Sequence, residues 1–173
     1  MICNDMISLT YALPGAVIGL SLIILVTSSP DTINPNIFIG SFFLLIYAYS
    51  IRHMAVGISP LKSSFEKHPN SYDDTGINLG LTPYRLFKKI HLPINKSAIL
   101  IAFLLCFIDI MKELPITLIL RPFNFDTLSV RIFQYASDER LAESILPSMI
   151  LLSLGLIASL ALIPSLNNKT REH

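Results

Sequence analysis

Charge is scarce in this sequence. Of 173 residues only 14% are Asp, Glu, Lys or Arg, against roughly 25% in an ordinary globular domain. The charges nearly cancel, leaving a net +1, which excludes a nucleic-acid surface, since phosphates call for Lys and Arg concentrated on one face. Cysteine is scarce too. Cys3 and Cys106 stand far apart with no CxxC pair, which excludes a disulfide framework and a cysteine zinc site. The four histidines, His53, His68, His91 and His173, are dispersed, three of them in the polar stretch from 51 to 97, and lack the convergence a metal site needs. No GxxxxGK phosphate loop is present to hold ATP. The chain is therefore read as a non-enzyme without a cofactor.

What it has in quantity is apolar residues, 52% of the total, with a mean hydropathy of +0.60. They come in blocks: no charge lies between Asp5 and Asp31, Asp31 and Arg52, Lys96 and Asp109, or Glu143 and Lys169. Two of those gaps hold 25 residues each, enough for a bilayer span of ~20. The expectation is an all-α fold, a polytopic transmembrane helical bundle with four spans at about 8–29, 37–57, 97–118 and 146–166. Membrane lipid is its solvent. Met1 to Met6 has no Lys or Arg and the apolar stretch after it is too long for a signal h-region, so the first span is expected to stay in the protein. Pro14-Gly15 is expected to bend that span, and Ser29-Pro30-Asp31 and Asn34-Pro35-Asn36 to turn the chain into the second. Gly155 with Ser153 and Ser159 gives the last span small residues that permit close helix contact.

Residues 51 to 97 hold Arg52, Lys62, Lys67, Arg85, Lys88, Lys89 and Lys96, and the tail adds Lys169 and Arg171. The positive-inside rule puts both regions in the cytoplasm. The loop at about 58–95 is too long to be a mere connection and has internal signals. Ser71 and Asp74 form a capping-box-like pair, and Asp73 and Asp74 suit a helix start. Gly80 can close that helix in the left-handed conformation, and Thr82-Pro83 then opens a second one over Pro83 to Ile90, ending at Leu92-Pro93. A helix of eight residues is unstable alone in water, so it must dock, and Leu79, Leu86 and Ile90 offer the apolar contacts.

Asp74-Thr75-Gly76, three residues, Gly80, nine residues, then Ile90-His91-Leu92-Pro93 resembles the EAA loop of bacterial ABC importer permeases. The resemblance implies a MetI-like permease core in the bacterial cytoplasmic (inner) membrane. It also implies that this loop forms the coupling helix fitted into a groove on a separate cytoplasmic ATPase dimer, with Asp74, Thr75, Gly76, Gly80, Ile90, Leu92 and Pro93 as the coupling residues. The usual Glu-Ala-Ala is here Asp-Thr-Gly, which weakens the helix by roughly 1 kcal/mol where Gly replaces Ala. The 17-residue run from Lys112 to Leu128 is similar to permeases of ferric-iron ABC importers, which implies delivery by a periplasmic ferric-binding protein. The resemblance extends from about Tyr11 to Pro164 and matches the last four spans of the second half of such permeases, so the remaining spans or a second permease half are expected partners. Permeases for an oxyanion or a polyamine, a stand-alone ion-coupled carrier and a non-transporting fragment are the other readings; no internal repeat of the kind carriers show is found.

Asp109, Lys112 and Glu113 lie in the third span, where an ionised side chain must face protein, water or an opposite charge. Spacings of three and four bring Lys112 and Glu113 within reach of Asp109. Together with Thr117 and Arg121 they are candidates either for lining the pathway or for a structural ion pair. Arg121 to Thr127 is expected to emerge on the outer side. Thr127 then caps a short amphipathic helix carrying Leu128, Ile132 and Tyr135, which either meets the delivering protein or lids the bundle. A reporter fused after Ser71 should behave as cytoplasmic and one fused after Asp126 as external; a reversed pair would overturn this orientation.

Overall fold

The computed structural model describes residues 13–28, 38–67, 71–78 and 80–170, without the side chains of 71, 72 and 165–170. All regular elements among them are helices, so the protein is all-α as expected. The start of the first span, the turns at 29–31 and 34–36, the Ser71 cap and the Leu79 contact lie outside what is described.

Helix α1 (Gly15–Thr27) opens directly after Pro14, at φ −57°. The Pro14 carbonyl accepts from the Val17 and Ile18 amides. Proline's missing N–H costs nothing at such a helix start; the bend expected at Pro14-Gly15 involves the part of the span before residue 13, which lies outside the described residues. Helix α2 (Phe42–Phe65) runs 24 residues, passing through Pro60 and beyond the expected end near 57. Helices α3 (Ser71–Asn78) and α4 (Pro83–Ile94) follow, then α5 (Lys96–Met111), α6 (Pro115–Leu120), α7 (Leu128–Ser137) and α8 (Leu141–Thr170). By length and apolarity α2 and the Leu141–Pro164 stretch of α8 can each cross a bilayer, and α4 with α5, bent by 70°, make a third candidate; α1 is apolar but shorter.

The chain forms two compact units, Met1–Ala55 with Phe107–Ile157 and Val56–Cys106 with Ala158–His173. The core of the first gathers Ile18 and Leu22 of α1, Leu44, Leu45 and Ala48 of α2, and Ile116 and Leu120 of α6. Gly19 lets α6 come close: a Cβ there would sit 3.2 Å from Ile119 Cγ2. The Phe42 and Phe125 rings meet edge to face at 4.8 Å, a favoured aromatic geometry.

The expected third span is interrupted. Helix α5 stops at Met111 and α6 begins at Pro115, because Pro115 has no amide to continue the ladder. A broken backbone inside a membrane protein must find other partners, and here side chains supply them. The Glu113 carbonyl accepts from the hydroxyls of Thr117 and Ser129, each at 3.0 Å. Ser129 sits at the start of α7, whose cap Thr127 accepts from the Val130 amide as expected.

In the second unit, α3 ends in a two-bond glycine cap. The Gly80 amide donates to the Ile77 carbonyl at 2.9 Å and the Leu81 amide to the Gly76 carbonyl at 3.1 Å, the Schellman pattern, with Gly80 at φ +73°. Helix α4 differs from its expected end at Ile90. It continues to Ile94 by widening into a π turn over Phe87–His91. The wider turn resolves the conflict at Pro93, which cannot donate and would crowd the carbonyl four residues back in a regular helix. Asn95 then ends α4: its side-chain amide donates to the His91 carbonyl at 2.8 Å and the residue is only 2% exposed.

A Cβ at Gly80 would meet nothing within 4 Å, so substitution there tests backbone strain alone. Gly80→Asn should be nearly neutral and Gly80→Val should cost on the order of 1 to 3 kcal/mol, read as thermal stability of the purified chain in detergent. Equal losses in both would contradict the left-handed cap.

Candidate functional site

The charged residues of the third expected span separate into distinct pairs. Lys112 reaches Asp109 at 2.8 Å, as the spacing of three predicts. Glu113 turns elsewhere. Its Oε2 accepts from Nε of Arg52 at 3.2 Å, with the carboxylate side chain 10% and the guanidinium side chain 19% exposed. Arg52 also donates through Nη1 to the Leu13 carbonyl, just before α1. The second carboxylate oxygen of Glu113, Oε1, is buried with no hydrogen-bond partner, and a Cβ at Gly15 would come within 2.6 Å of it. Gly15 is thus the residue that lets the carboxylate lie against the first turn of α1, where the helix dipole favours an anion.

The neighbouring contacts extend from the same residue. Thr117, fully buried, donates to the Glu113 carbonyl and shares a short hydrogen bond with the Tyr49 hydroxyl, one turn before Arg52 on α2. Arg121 pairs with Asp126, which Arg131 also approaches at 3.6 Å, so the turn between α6 and α7 is cross-braced. An apolar cavity of about 430 Å³ lies close by, between Ile108, Met111 and Lys112, Ile132 of α7, and Ser148, Leu152 and Gly155 of α8. Glu113 and Arg52 do not line it.

The loop residues form a second, separate group. Asp74 and Thr75 are exposed on α3, whereas Gly76 is buried because α3 packs there on α4. A Cβ on Gly76 would overlap Leu86 Cδ1 and lie 3.3 Å from Ile90 Cδ1. Asp73 of α3 meets His91 Nε2 of α4 at 2.9 Å, and the His91 ring lies 5.8 Å from that of Phe65. Leu92 and Pro93 are exposed.

No family model matches the chain. Over 136 residues it is 31% identical to the Fe(3+)-transport system permease protein FbpB 2 of Haemophilus influenzae, a match covering 79% of this chain and 26% of that protein. Over 96 residues it is 30% identical to the maltose/maltodextrin transport system permease protein MalG of Photorhabdus laumondii and to that of Escherichia coli, covering 55% of this chain and 32% of each relative. Over most of its length the chain is similar to ABC importer permeases. It spans only part of the length of these relatives.

Within this permease segment, Asp109, Lys112, Glu113, Thr117 and Arg121 come from one sequence neighbourhood but do not converge on one point. Sequence reasoning missed Arg52, which was counted with the cytoplasmic loop; it lies midway along α2 and is the partner of Glu113. His53 likewise sits inside α2, 5% exposed, with Nδ1 3.0 Å from the Tyr49 carbonyl. The available signal was that apolar residues flank Arg52-His53 on both sides, which argues for an intrahelical charge that needs a partner.

Removing one member of a buried pair leaves the other charge uncompensated. Arg52→Met should therefore cost the permease segment about 3 kcal/mol. Arg52→Met with Glu113→Leu should cost clearly less than the two single changes added together, measured as a double-mutant cycle of unfolding in detergent. Strict additivity would show that the two groups do not depend on each other.

Proposed function

We propose that this chain is part of the membrane pathway of a bacterial ABC importer for ferric iron, in the inner membrane, and that a cytoplasmic ATPase dimer drives it through the 71–93 segment. The observation that carries the coupling reading is the docked pair α3 and α4. A short helix with an acidic, exposed start is held by a glycine cap at one end and seated on the next helix through Gly76. Docked in this way, α3 bears on α4, and α4 runs directly into α5. A push on α3 is thereby transmitted to an apolar helix without depending on the weak intrinsic stability of eight residues.

Two matches support ferric iron as the substrate: the long run from Lys112 to Leu128, and a likeness to an iron permease over 79% of the chain, whereas the maltose permeases match over 55%. Under this reading a periplasmic ferric-binding protein delivers the metal on the side of the α6–α7 turn, and the remaining permease spans or a second half complete the pathway. The buried Glu113–Arg52 pair is structural here, because each charge is already matched by the other.

In a complete permease containing this segment, Asp74→Lys should leave membrane abundance unchanged, since the residue is exposed and outside the apolar helices. It should reduce ATPase co-purification and iron uptake together, by about tenfold, as expected for a reversed charge at a helix start and docking face. Gly80→Val should act in the same direction. Unchanged uptake in both variants would reduce the loop to a connector, and uptake of maltose or an oxyanion in place of iron would remove the substrate assignment while leaving the ABC reading standing.

A further inference from the structure

Between Pro83 and Ser97 the chain carries Arg85, Lys88, Lys89 and Lys96 and no acidic residue. All four are exposed, and none makes an ion pair among the described residues. Such a concentration is out of keeping with a chain whose net charge is +1. Arg85, Lys88 and Lys89 sit on a helix that is bent by 70° from the apolar helix that Lys96 begins. If α5 crosses the bilayer at an ordinary tilt of about 20°, α4 lies nearer the membrane plane than its normal.

The faces of α4 are also divided. Leu86 and Ile90 point at Gly76 of α3, so helical periodicity turns Tyr84 and Lys88 to the opposite side. Tyr84 is 71% and Phe87, one turn on, 52% exposed, large aromatics with half or more of their surface open beside a row of cations. Aromatic rings interleaved with Lys and Arg on one side of an in-plane helix are the composition of a membrane-surface helix.

We propose that α4 rests on the bilayer surface and that Arg85, Lys88, Lys89 and Lys96 bind the headgroups of anionic phospholipids, with Tyr84 and Phe87 seated at headgroup level. The lipid then forms the floor against which α3 is held. Charge complementarity selects the occupant, since an anionic leaflet attracts juxtamembrane basic residues one by one. The neighbouring α3 carries Asp73 and Asp74, and Asp73 is held by His91 of α4. The inference rests on the membrane reading of the chain and goes beyond the coupling proposal, which its test leaves out.

The test uses the full chain with Cys3→Ser and Cys106→Ser, carrying a fluorescent label at Tyr84→Cys or at Asn78→Cys, in phosphatidylcholine nanodiscs with or without phosphatidylglycerol. Lipids spin-labelled at the headgroup should quench the label at 84 and leave that at 78 accessible to a water-soluble quencher. Phosphatidylglycerol should strengthen quenching at 84 by roughly threefold or more, and Arg85→Gln, Lys88→Gln and Lys89→Gln together should abolish that increase. Equal water access at both positions, or quenching at 84 that ignores phosphatidylglycerol, would overturn the proposal. So would protection of the 84 label that needs an added soluble protein. No ATPase is present in the assay, so its outcome is independent of whether α3 couples.

Discussion

The first unit depends on the satisfaction of one interrupted turn. Pro115 cannot continue α5, so the backbone at Glu113 would be left with an orphan carbonyl in an apolar setting, a cost of several kcal/mol if unmet. Thr117 and Ser129 meet it from α6 and α7, and the Glu113 side chain reaches Arg52 on α2. One residue thereby fixes four helices, α1 included through the Arg52 bond to Leu13. The apolar packing of Ile116 and Leu120 against Ile18, Leu22 and Leu45 supplies cohesion, but apolar contacts are non-directional. The hydrogen bonds to Glu113 decide which register α6 adopts.

The second unit solves a different problem with glycine and proline. Gly80 takes the backbone where a β-branched residue is strained, and Gly76 removes the side chain where α3 meets Leu86. The Asp-Thr-Gly variant of the loop motif is therefore compensated by its neighbour. The tip of Leu86 occupies the space an alanine methyl would fill, and because that tip is the end of a flexible side chain, an alanine could be admitted by its rotation at little cost. Propensity alone suggested a weakened helix at Gly76; the packing shows a seat.

These two arrangements differ in how far they could be read in advance. The glycine cap at Gly80 and the threonine cap at Thr127 were legible because each is a local signal, satisfied by amides within a few residues. The continuation of α4 through Pro93 was not, since the π turn that admits it depends on the whole helix being docked. Nor was the Glu113 partner. Asp109, three residues before Lys112, was found from spacing, but Arg52 lies 61 positions away, and a charge inside an apolar run says only that a partner exists.

Sequence by itself determined the solvent, the class and those helix ends that local caps fix, at Gly80 and Thr127. Block-wise apolarity and such caps act locally, and their consequences do not wait for the rest of the chain. Tertiary structure alone decided which charges distant in sequence pair, which face of α4 is covered by α3, and that Gly15 gives way to a carboxylate. Those outcomes turn on distances between residues far apart in sequence, where an ångström separates a hydrogen bond from an unpaired buried group.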